Sequence, residues 1–195
     1  MRISSIRTAL SFAAEQSWHI QQVDLNTAFL YAHLKEEIYM KLPEGLHLIP
    51  ATACHPDSTL QHQSSKEGQP IVGRLLRALY GLKQAPKEWY DELTRILKKQ
   101  GYQPTYNDPG AYTKTVNGEL LCILLVYVDD ILILAPEMST VNSFKSQFVK
   151  HVEIKDLGTC RQILGINIHY ERHGISLNQQ QVIQQLLQHT CMRDC

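Results

Sequence analysis

The stretch Leu120–Leu134, LLCILLVYVDDILIL, decides how this chain folds, because two acidic residues interrupt an almost unbroken apolar run. The run is long enough for two strands of about five to six residues each. Burying Asp129 and Asp130 without partners would be costly, because each ionised carboxylate would lose its hydration. We therefore expect a strand, a tight connection that carries both aspartates at one edge of a buried sheet, and a second strand.

The aspartate pair has two interpretations. Carboxylates concentrated at a sheet edge are suitable ligands for a hard divalent cation such as Mg²⁺. The alternative is an ordinary hairpin turn, in which aspartate is common. A usual two-residue hairpin turn offers Asn-Gly or Asp-Gly, whereas this one offers Asp-Asp without glycine. The residues alone leave both interpretations open.

A third carboxylate belongs to the segment His19–Leu30, HIQQVDLNTAFL. Asp24 lies between two apolar residues at the expected end of a strand that starts near Trp18. The residues from Thr27 to Leu30 indicate a turn into a short helix. Asp24 is either a further member of the acidic site or the N-cap of the turn that follows it.

The rest of the chain has an α+β order. Apolar residues at helical spacing predict helices at Ile3–Glu15, from Pro86 to Gly101, at Met138–Phe148 and around Val182–Leu187. A second hairpin is expected from Gln162–Tyr170 and Gly174–Leu177. Residues 31–42 are expected to form short, mixed structure, and residues 71–82 lead into the helix that begins near Pro86. The polar segment 46–70 is expected to be a loop or insertion.

Composition excludes some classes of protein. Hydrophobic residues make up 44% of the 195 residues, which is typical of a globular domain. Lysine and arginine (19) balance aspartate and glutamate (19), so the chain is not basic over its whole surface. Residues 70–100 nevertheless hold seven basic and three acidic groups. No apolar stretch has the length of a membrane span, so no membrane partner is expected.

Four segments occur in the order and spacing of a known family. They are HIQQVDLNTAFL, RALYGLKQAPKEWY, LLVYVDDILIL and KDLGTCRQILGINI. Together they resemble the reverse transcriptase of Ty1/copia-type LTR retrotransposons over essentially the whole chain. The combination of ALYGLKQAP with YVDD is highly specific. It argues against a different two-metal phosphoryl-transfer enzyme, such as a nuclease.

The resemblance implies an architecture. The fold would be a right-hand polymerase palm of the α+β class, with an antiparallel sheet packed on helices and with incomplete fingers and thumb. Residues 1–175 would form the palm with partial fingers, and residues 176–195 would start the thumb.

The resemblance also implies a function and partners. The chain would be an RNA-directed DNA polymerase that adds dNTPs to a primer 3′-hydroxyl by two-metal nucleotidyl transfer. Its cofactor would be Mg²⁺, with Mn²⁺ as a substitute, and its partners an RNA template and a DNA primer. A parent Pol polyprotein would supply integrase and RNase H. The location would be intracellular, in a cytoplasmic virus-like particle where the parent element is active.

Site residues follow from the same resemblance. Asp24, Asp129 and Asp130 match the catalytic aspartates. Asp24 and Asp129 would bind metal together with the backbone carbonyl of Leu25. The positions that match the nucleotide site are Phe29, Tyr80, Gly81, Lys83 and Gln84, and those that match the primer site are Tyr127, Leu164 and Gly165. Phe29 would form the floor that rejects a ribose 2′-hydroxyl, although the residues alone equally allow a core phenylalanine.

Some features depart from the family. Finger strands that carry basic residues would precede Arg2, and the chain ends early in the expected thumb. Val182 stands where tyrosine is usual, and His189-Thr190-Cys191 stands where an aromatic-glycine pair is usual. The alternative to an active enzyme is therefore an inactive retrotransposon remnant that retains the fold but binds substrate poorly. Weak metal binding and little primer extension are expected of the chain on its own.

Overall fold

The structure, a computed structural model, describes residues 1–44 and 72–192. The segment 46–70, for which a loop or insertion is expected, lies outside these residues. The described residues form a mixed α+β fold with antiparallel sheets and four α-helices. The expected α+β class is therefore confirmed. No helix in the described part of the chain has both the length and the apolar character that crossing a membrane requires.

The helices lie close to where the apolar periodicity predicts them. They are α1 (Ile3–Glu15), α2 (Ala85–Lys99), α3 (Met138–Phe148) and α4 (Gln180–His189), with a 3-10 turn at Ala28–Tyr31. Pro86 lies in the first turn of α2, where its missing N–H leaves no intrahelical bond unmade. Gly101, just after the end of α2, has a φ of +87°, which suits a helix terminus.

Eleven strands complete the described fold. In chain order they are β1 (His19–Leu25), β2 (His33–Lys41), β3 (Val72–Arg77), β4 (Gln103–Pro104), β5 (Ala111–Val116), β6 (Glu119–Tyr127), β7 (Asp130–Ala135), β8 (Ile154–Thr159), β9 (Gln162–Ile163), β10 (Ile166–Glu171) and β11 (Gly174–Asn178).

The main sheet has six strands in the order β4-β5-β6-β7-β1-β8, and every neighbouring pair is antiparallel. The apolar run therefore forms the hairpin β6–β7, as predicted. Strand β7 lies inside the sheet between β6 and β1. Its residues from Ile131 to Ala135 are all fully buried, because both faces of the sheet are covered.

The two faces of the sheet pack against different layers. Alternate side chains point to opposite faces of a strand, so Ile131 and Ile133 face one layer while Leu132 and Leu134 face the other. The first pair packs with helices α2 and α3. The second pair packs with α1 and with the small sheet β11-β10-β9. The core thus has three layers, with the main sheet as the middle layer.

Two small sheets flank the core. Strands β2 and β3 pair with each other, whereas the sequence predicts only short, mixed structure for residues 31–42 and no strand for residues 71–82. The predicted second hairpin is present as β10–β11, but Glu171 pairs with Gly174 and so belongs to the strand, and the first arm is divided into β9 and β10 by a turn at Leu164 and Gly165. Helix α4 follows it and has no buried residue among those described, so its apolar stripe stays largely exposed.

Candidate active site

Three aspartates meet at the end of the main sheet where β1 lies beside β7. Asp24 is directly opposite Asp130, at the last registered pair of these two strands. Asp129 lies in the connection between β6 and β7, and its carbonyl oxygen accepts a hydrogen bond from the Leu25 N–H at 2.9 Å. All three side chains are partly exposed. The arrangement brings together the carboxylates that the sequence singles out. Asp24 is part of the strand, and the residue that precedes the 3-10 turn as its N-cap is Thr27.

The connection that carries Asp129 is strained. Tyr127 pairs with Asp130, so Val128 and Asp129 alone form the turn. Val128 has a φ of 54°, in the left-handed region that a β-branched residue rarely adopts. Such a conformation costs on the order of 1–3 kcal/mol and persists only where surrounding contacts hold it. The turn is therefore unlike an ordinary hairpin turn built on Asn-Gly or Asp-Gly.

Trp89 supplies one of those contacts. Its indole N–H donates to the carbonyl oxygen of Val128 at 3.0 Å, and the side chain is only 3% exposed. Trp89 extends from α2, so the helix beneath the sheet holds the turn from inside the core. The apolar spacing of the helix predicts that Trp89 is buried but does not predict this polar contact, since nothing in the local pattern links it to Val128.

Gln22 holds the second aspartate of the pair. Its side-chain N–H donates to a carboxylate oxygen of Asp130 at 2.9 Å, and Gln22 itself is buried. A buried amide requires a hydrogen-bond partner, and here that partner is a site carboxylate. The local sequence pattern does not predict this role of Gln22. The available signal is the polar pair Gln21-Gln22 between the apolar residues Ile20 and Val23.

Tyr80 contacts Asp129 directly. Its hydroxyl oxygen is 2.9 Å from both carboxylate oxygens of Asp129. Burial, this hydrogen bond and the charges of Asp129 and Asp24 raise the pKa of Tyr80 to about 12. The hydroxyl is therefore protonated at neutral pH and acts as the donor.

Electrostatic repulsion is visible at Asp129. Burial raises the pKa of the Asp129 carboxyl above its usual value, and the charges of Asp24 and Asp130 raise it further. The hydrogen bond from Tyr80 acts in the opposite direction and only partly offsets these effects. An acidic group whose neighbours disfavour its charge is one that a cation would stabilise.

Phe29 lies beside Tyr80. The ring centroids are 4.4 Å apart with a tilt of 56° between the planes. Phe29 is 7% exposed and belongs to the core layer that contains α2 and α3. Most of the ring is thus a core group, and the part that meets Tyr80 lies close to the acidic cluster.

The other residues that match the nucleotide site occupy the turn before α2. Gly81 has a φ of +97° and open space where a Cβ would lie, so its backbone conformation, not crowding, requires glycine. Lys83 is exposed. The side-chain N–H of Gln84 donates to Glu36 of β2 at 2.7 Å, which ties this turn to the β2–β3 pair.

The residues that match the primer site lie in two places. Tyr127 is 46% exposed at the end of β6, next to the aspartates. Leu164 and Gly165 form the two-residue turn between β9 and β10, and both have positive φ, as such a tight turn requires. A Cβ on Gly165 would lie 2.9 Å from Val182, so helix α4 packs closely against this turn.

The oxygen atoms at this end of the sheet are of the type that a hard divalent cation prefers. Among the described residues, however, no three or more His, Cys, Asp or Glu side chains are already arranged to hold a metal ion. Asp24 and Asp129 offer carboxylate oxygens at the same end of the main sheet, and Leu25, the residue after Asp24, offers a backbone carbonyl. Such oxygen donors suit Mg²⁺, which commonly takes its remaining ligands from water and substrate phosphates.

Comparison with known proteins identifies the family. The profile described as reverse transcriptase (RNA-dependent DNA polymerase) matches residues 1–195. The chain is 37% identical over 196 residues to the retrovirus-related Pol polyprotein from transposon TNT 1-94 of Nicotiana tabacum, covering 100% of this chain and 14% of that protein. It is 32% identical over 192 residues to the corresponding polyprotein from transposon RE1 of Arabidopsis thaliana, covering 98% of this chain and 12% of that protein.

A yeast relative extends the match. The chain is 28% identical over 177 residues to the transposon Ty1-BL Gag-Pol polyprotein of Saccharomyces cerevisiae, covering 86% of this chain and 9% of that protein. No solved structure matches. The chain spans only a small part of the length of these relatives. The resemblance inferred from its motifs is confirmed. It belongs to the reverse transcriptase (RNA-dependent DNA polymerase) family, in the group found in Ty1/copia-type retrotransposon Pol polyproteins.

Proposed function

We propose that this chain is the catalytic palm of an RNA-directed DNA polymerase that transfers dNTPs to a primer 3′-hydroxyl on an RNA template. The observation that carries the proposal is the meeting of Asp24, Asp129 and Asp130 at one end of the sheet. Membership of the reverse transcriptase family supports it. The retention of all three carboxylates favours an enzyme over an inactive remnant.

Asp24 and Asp129 would hold Mg²⁺, or Mn²⁺ in its place, with the carbonyl of Leu25 as a further ligand. When bound, two such cations stabilise the attacking and leaving oxygens of an in-line phosphoryl transfer. Asp130 would keep the local charge negative while Gln22 fixes its orientation. The Val128–Asp129 turn, held by Trp89, would keep the metal-binding carboxylate in one place, since positioning supplies much of the acceleration in phosphoryl transfer.

Neighbouring residues would place the substrates. Phe29 would lie under the sugar and exclude a 2′-hydroxyl, with Tyr80 beside it. Gly81 allows the backbone to approach the nucleotide, and the exposed Lys83 would contact a phosphate, with Gln84 holding the turn. The primer end would lie between Tyr127 and the Leu164–Gly165 turn.

The wider architecture follows the same proposal. Residues 1–175 would be the palm with part of the fingers, in which the exposed β2–β3 pair would be a finger element. Residues from 176 onward would start the thumb. The parent protein would be a Pol polyprotein with integrase and RNase H, acting in a cytoplasmic virus-like particle.

The test is extension of an oligo(dT) primer on poly(rA) with dTTP and either Mg²⁺ or Mn²⁺, measured with the chain inside its proposed parent polyprotein, because little extension is expected of the chain on its own. We expect extension that falls by about 100-fold or more in Asp129→Asn, because a metal ligand is lost. The matched control is Asp91→Asn, which removes an exposed carboxylate on α2 that pairs only with Lys35 among the described residues. Extension that survives in Asp129→Asn, or that falls equally in Asp91→Asn, would contradict the proposal.

A further inference from the structure

The Tyr80 hydroxyl lies where a cation would bind Asp129. Its oxygen is the same distance, 2.9 Å, from both carboxylate oxygens, so it lies close to the bisector of the carboxylate. A hydroxyl has one proton, which is therefore shared between two acceptors. A divalent cation held by both oxygens of a carboxylate occupies this same direction.

A hydroxyl and a cation exclude each other at this position. Mg²⁺ lies about 2.0–2.1 Å from its oxygen ligands, inside the space between the Tyr80 oxygen and the carboxylate. The proton of the hydroxyl points toward the carboxylate, and its positive end would repel the cation. For the cation to bind here, the Tyr80 hydroxyl must move away.

Tyr80 is built to move without opening the core. Its side chain is 54% exposed, and its ring rests on Phe29 at a centroid distance of 4.4 Å. The next residue, Gly81, occupies a turn conformation with φ of +97°. By contrast, Trp89 holds the neighbouring turn from a buried position. The carboxylate is thus on a support held from the core, while the group that covers it lies on the exposed surface, where it can turn away without disturbing the core.

We infer, on the basis of the proposed function, that the Tyr80 hydroxyl covers Asp129 in the cation-free protein and competes with the divalent cation for that carboxylate. Cation binding then displaces the hydroxyl from Asp129. The released ring stays beside Phe29, so the cation site and the sugar site are coupled through one side chain.

The experiment measures Mn²⁺ binding to the chain by electron paramagnetic resonance of the free ion, with no nucleotide or primer present. The variants are Tyr80→Phe, which removes only the hydroxyl, and Asp129→Asn, which removes the carboxylate charge. The matched control is Tyr106→Phe, because Tyr106 is fully exposed. We expect Tyr80→Phe to bind Mn²⁺ about 3- to 10-fold more tightly than the unaltered chain, since one competing hydrogen bond is lost. Tyr106→Phe should bind as the unaltered chain does.

The outcomes separate this inference from the proposed function. If the unaltered chain binds Mn²⁺ in an Asp129-dependent way but Tyr80→Phe binds equally or more weakly, the competition is wrong while the metal site stands. Weaker binding would mean that the hydroxyl supports the bound cation. If Asp129→Asn binds Mn²⁺ as tightly as the unaltered chain does, the metal site of the proposed function is wrong, and the proposed competition is wrong with it.

A second measurement tests the contact without any metal. The urea midpoints of the unaltered chain, Tyr80→Phe, Asp129→Asn and the double variant are measured in EDTA. We expect non-additive shifts, because the two side chains interact directly. Additive shifts would show that the hydroxyl does not hold Asp129 and would overturn the inference.

Discussion

The indole N–H of Trp89 donates to the carbonyl oxygen of Val128 at 3.0 Å, and so a buried helix residue holds the strained turn that carries Asp129. The contact joins residues 39 positions apart. It explains how a turn without glycine is maintained at this end of the sheet. The carboxylates are placed by the core layer beneath them as well as by their own strands.

Replacing Trp89 with phenylalanine tests this support. Trp89→Phe retains most of the apolar volume but leaves the Val128 carbonyl without its donor, which should lower the free energy of unfolding by about 1–3 kcal/mol. We also expect Mn²⁺ affinity to fall under conditions where the variant is fully folded, because the turn is no longer fixed. Urea unfolding and Mn²⁺ titration measure the two effects.

The matched control for this change is Trp18→Phe. Trp18 packs edge-on against Phe12 at a centroid distance of 5.1 Å, away from the aspartates. It should lose stability without losing Mn²⁺ affinity. Equal affinity losses in both variants would mean that Trp89 acts only through general stability.

Gln22 allows a comparison between the two faces of one strand. Gln22→Leu removes the hydrogen bond to Asp130, and we expect primer extension to fall by about tenfold, because a carboxylate beside the proposed metal ligands loses the group that orients it. Gln21→Leu is the matched control. Gln21 contacts Thr159 and Lys145 on the opposite face, so its loss should affect stability and leave extension per folded molecule unchanged. The idea fails if Gln21→Leu lowers extension as much as Gln22→Leu.

Asp108 predicts a pH dependence of stability. It is 2% exposed and accepts hydrogen bonds at 2.6 Å from both the Arg2 N–H and the Ser5 hydroxyl, and at 2.9 Å from the Gly110 N–H. It therefore holds the start of α1 against the turn before β5. Burial would raise the pKa of Asp108, but the hydrogen bonds outweigh it and the net pKa is lowered.

A lowered pKa in the folded state means that this stabilisation is complete above the ordinary aspartate pKa of about 3.9 and is lost as pH falls through the folded value. Asp108→Asn should be less stable than the unaltered chain by about 1–3 kcal/mol at pH 7. This difference in the free energy of unfolding between Asp108→Asn and the unaltered chain should become smaller as pH falls below 4. Urea unfolding from pH 7 to pH 3 measures it, with Asp91→Asn expected to show no such gap. A gap that stays constant with pH would rule out the charge of Asp108 as the cause.

Much of the fold can be predicted from sequence where the apolar pattern is strong. The β6–β7 hairpin and helices α1, α2 and α3 agree with it, because each buries a continuous stripe or face. Strand β8 is harder to predict, since its residues are mostly exposed and its position depends on pairing with β1. Strand β2 is mainly exposed and charged, and it is held by pairing with β3, not by a core.

In the candidate site, too, some residues can be predicted from the sequence and others cannot. The aspartates can be found from sequence because charge interrupts an apolar run and a buried strand. The contacts that hold them cannot, because Tyr80–Asp129 and Gln22–Asp130 join residues 49 and 108 positions apart. No local spacing carries that information. It depends on how the strands and α2 come together in three dimensions.

The position of Phe29 predicts selection against ribonucleotides. Phe29 contacts Tyr80, which contacts Asp129, so its ring lies at the border between the core and the proposed nucleotide site. Phe29→Val should shorten the side chain there and reduce the preference for dTTP over UTP by about tenfold or more, since a clash with the 2′-hydroxyl is removed. The variant will also lose stability, because a buried ring is truncated. The ratio of kcat/KM for the two nucleotides is independent of the folded fraction, so primer extension with each nucleotide separates selection from stability. Phe12→Val, which truncates a ring that packs on Trp18, is the control and should leave the ratio of kcat/KM for the two nucleotides unchanged. If Phe29→Val also leaves this ratio unchanged, Phe29 is a core residue and does not select the sugar.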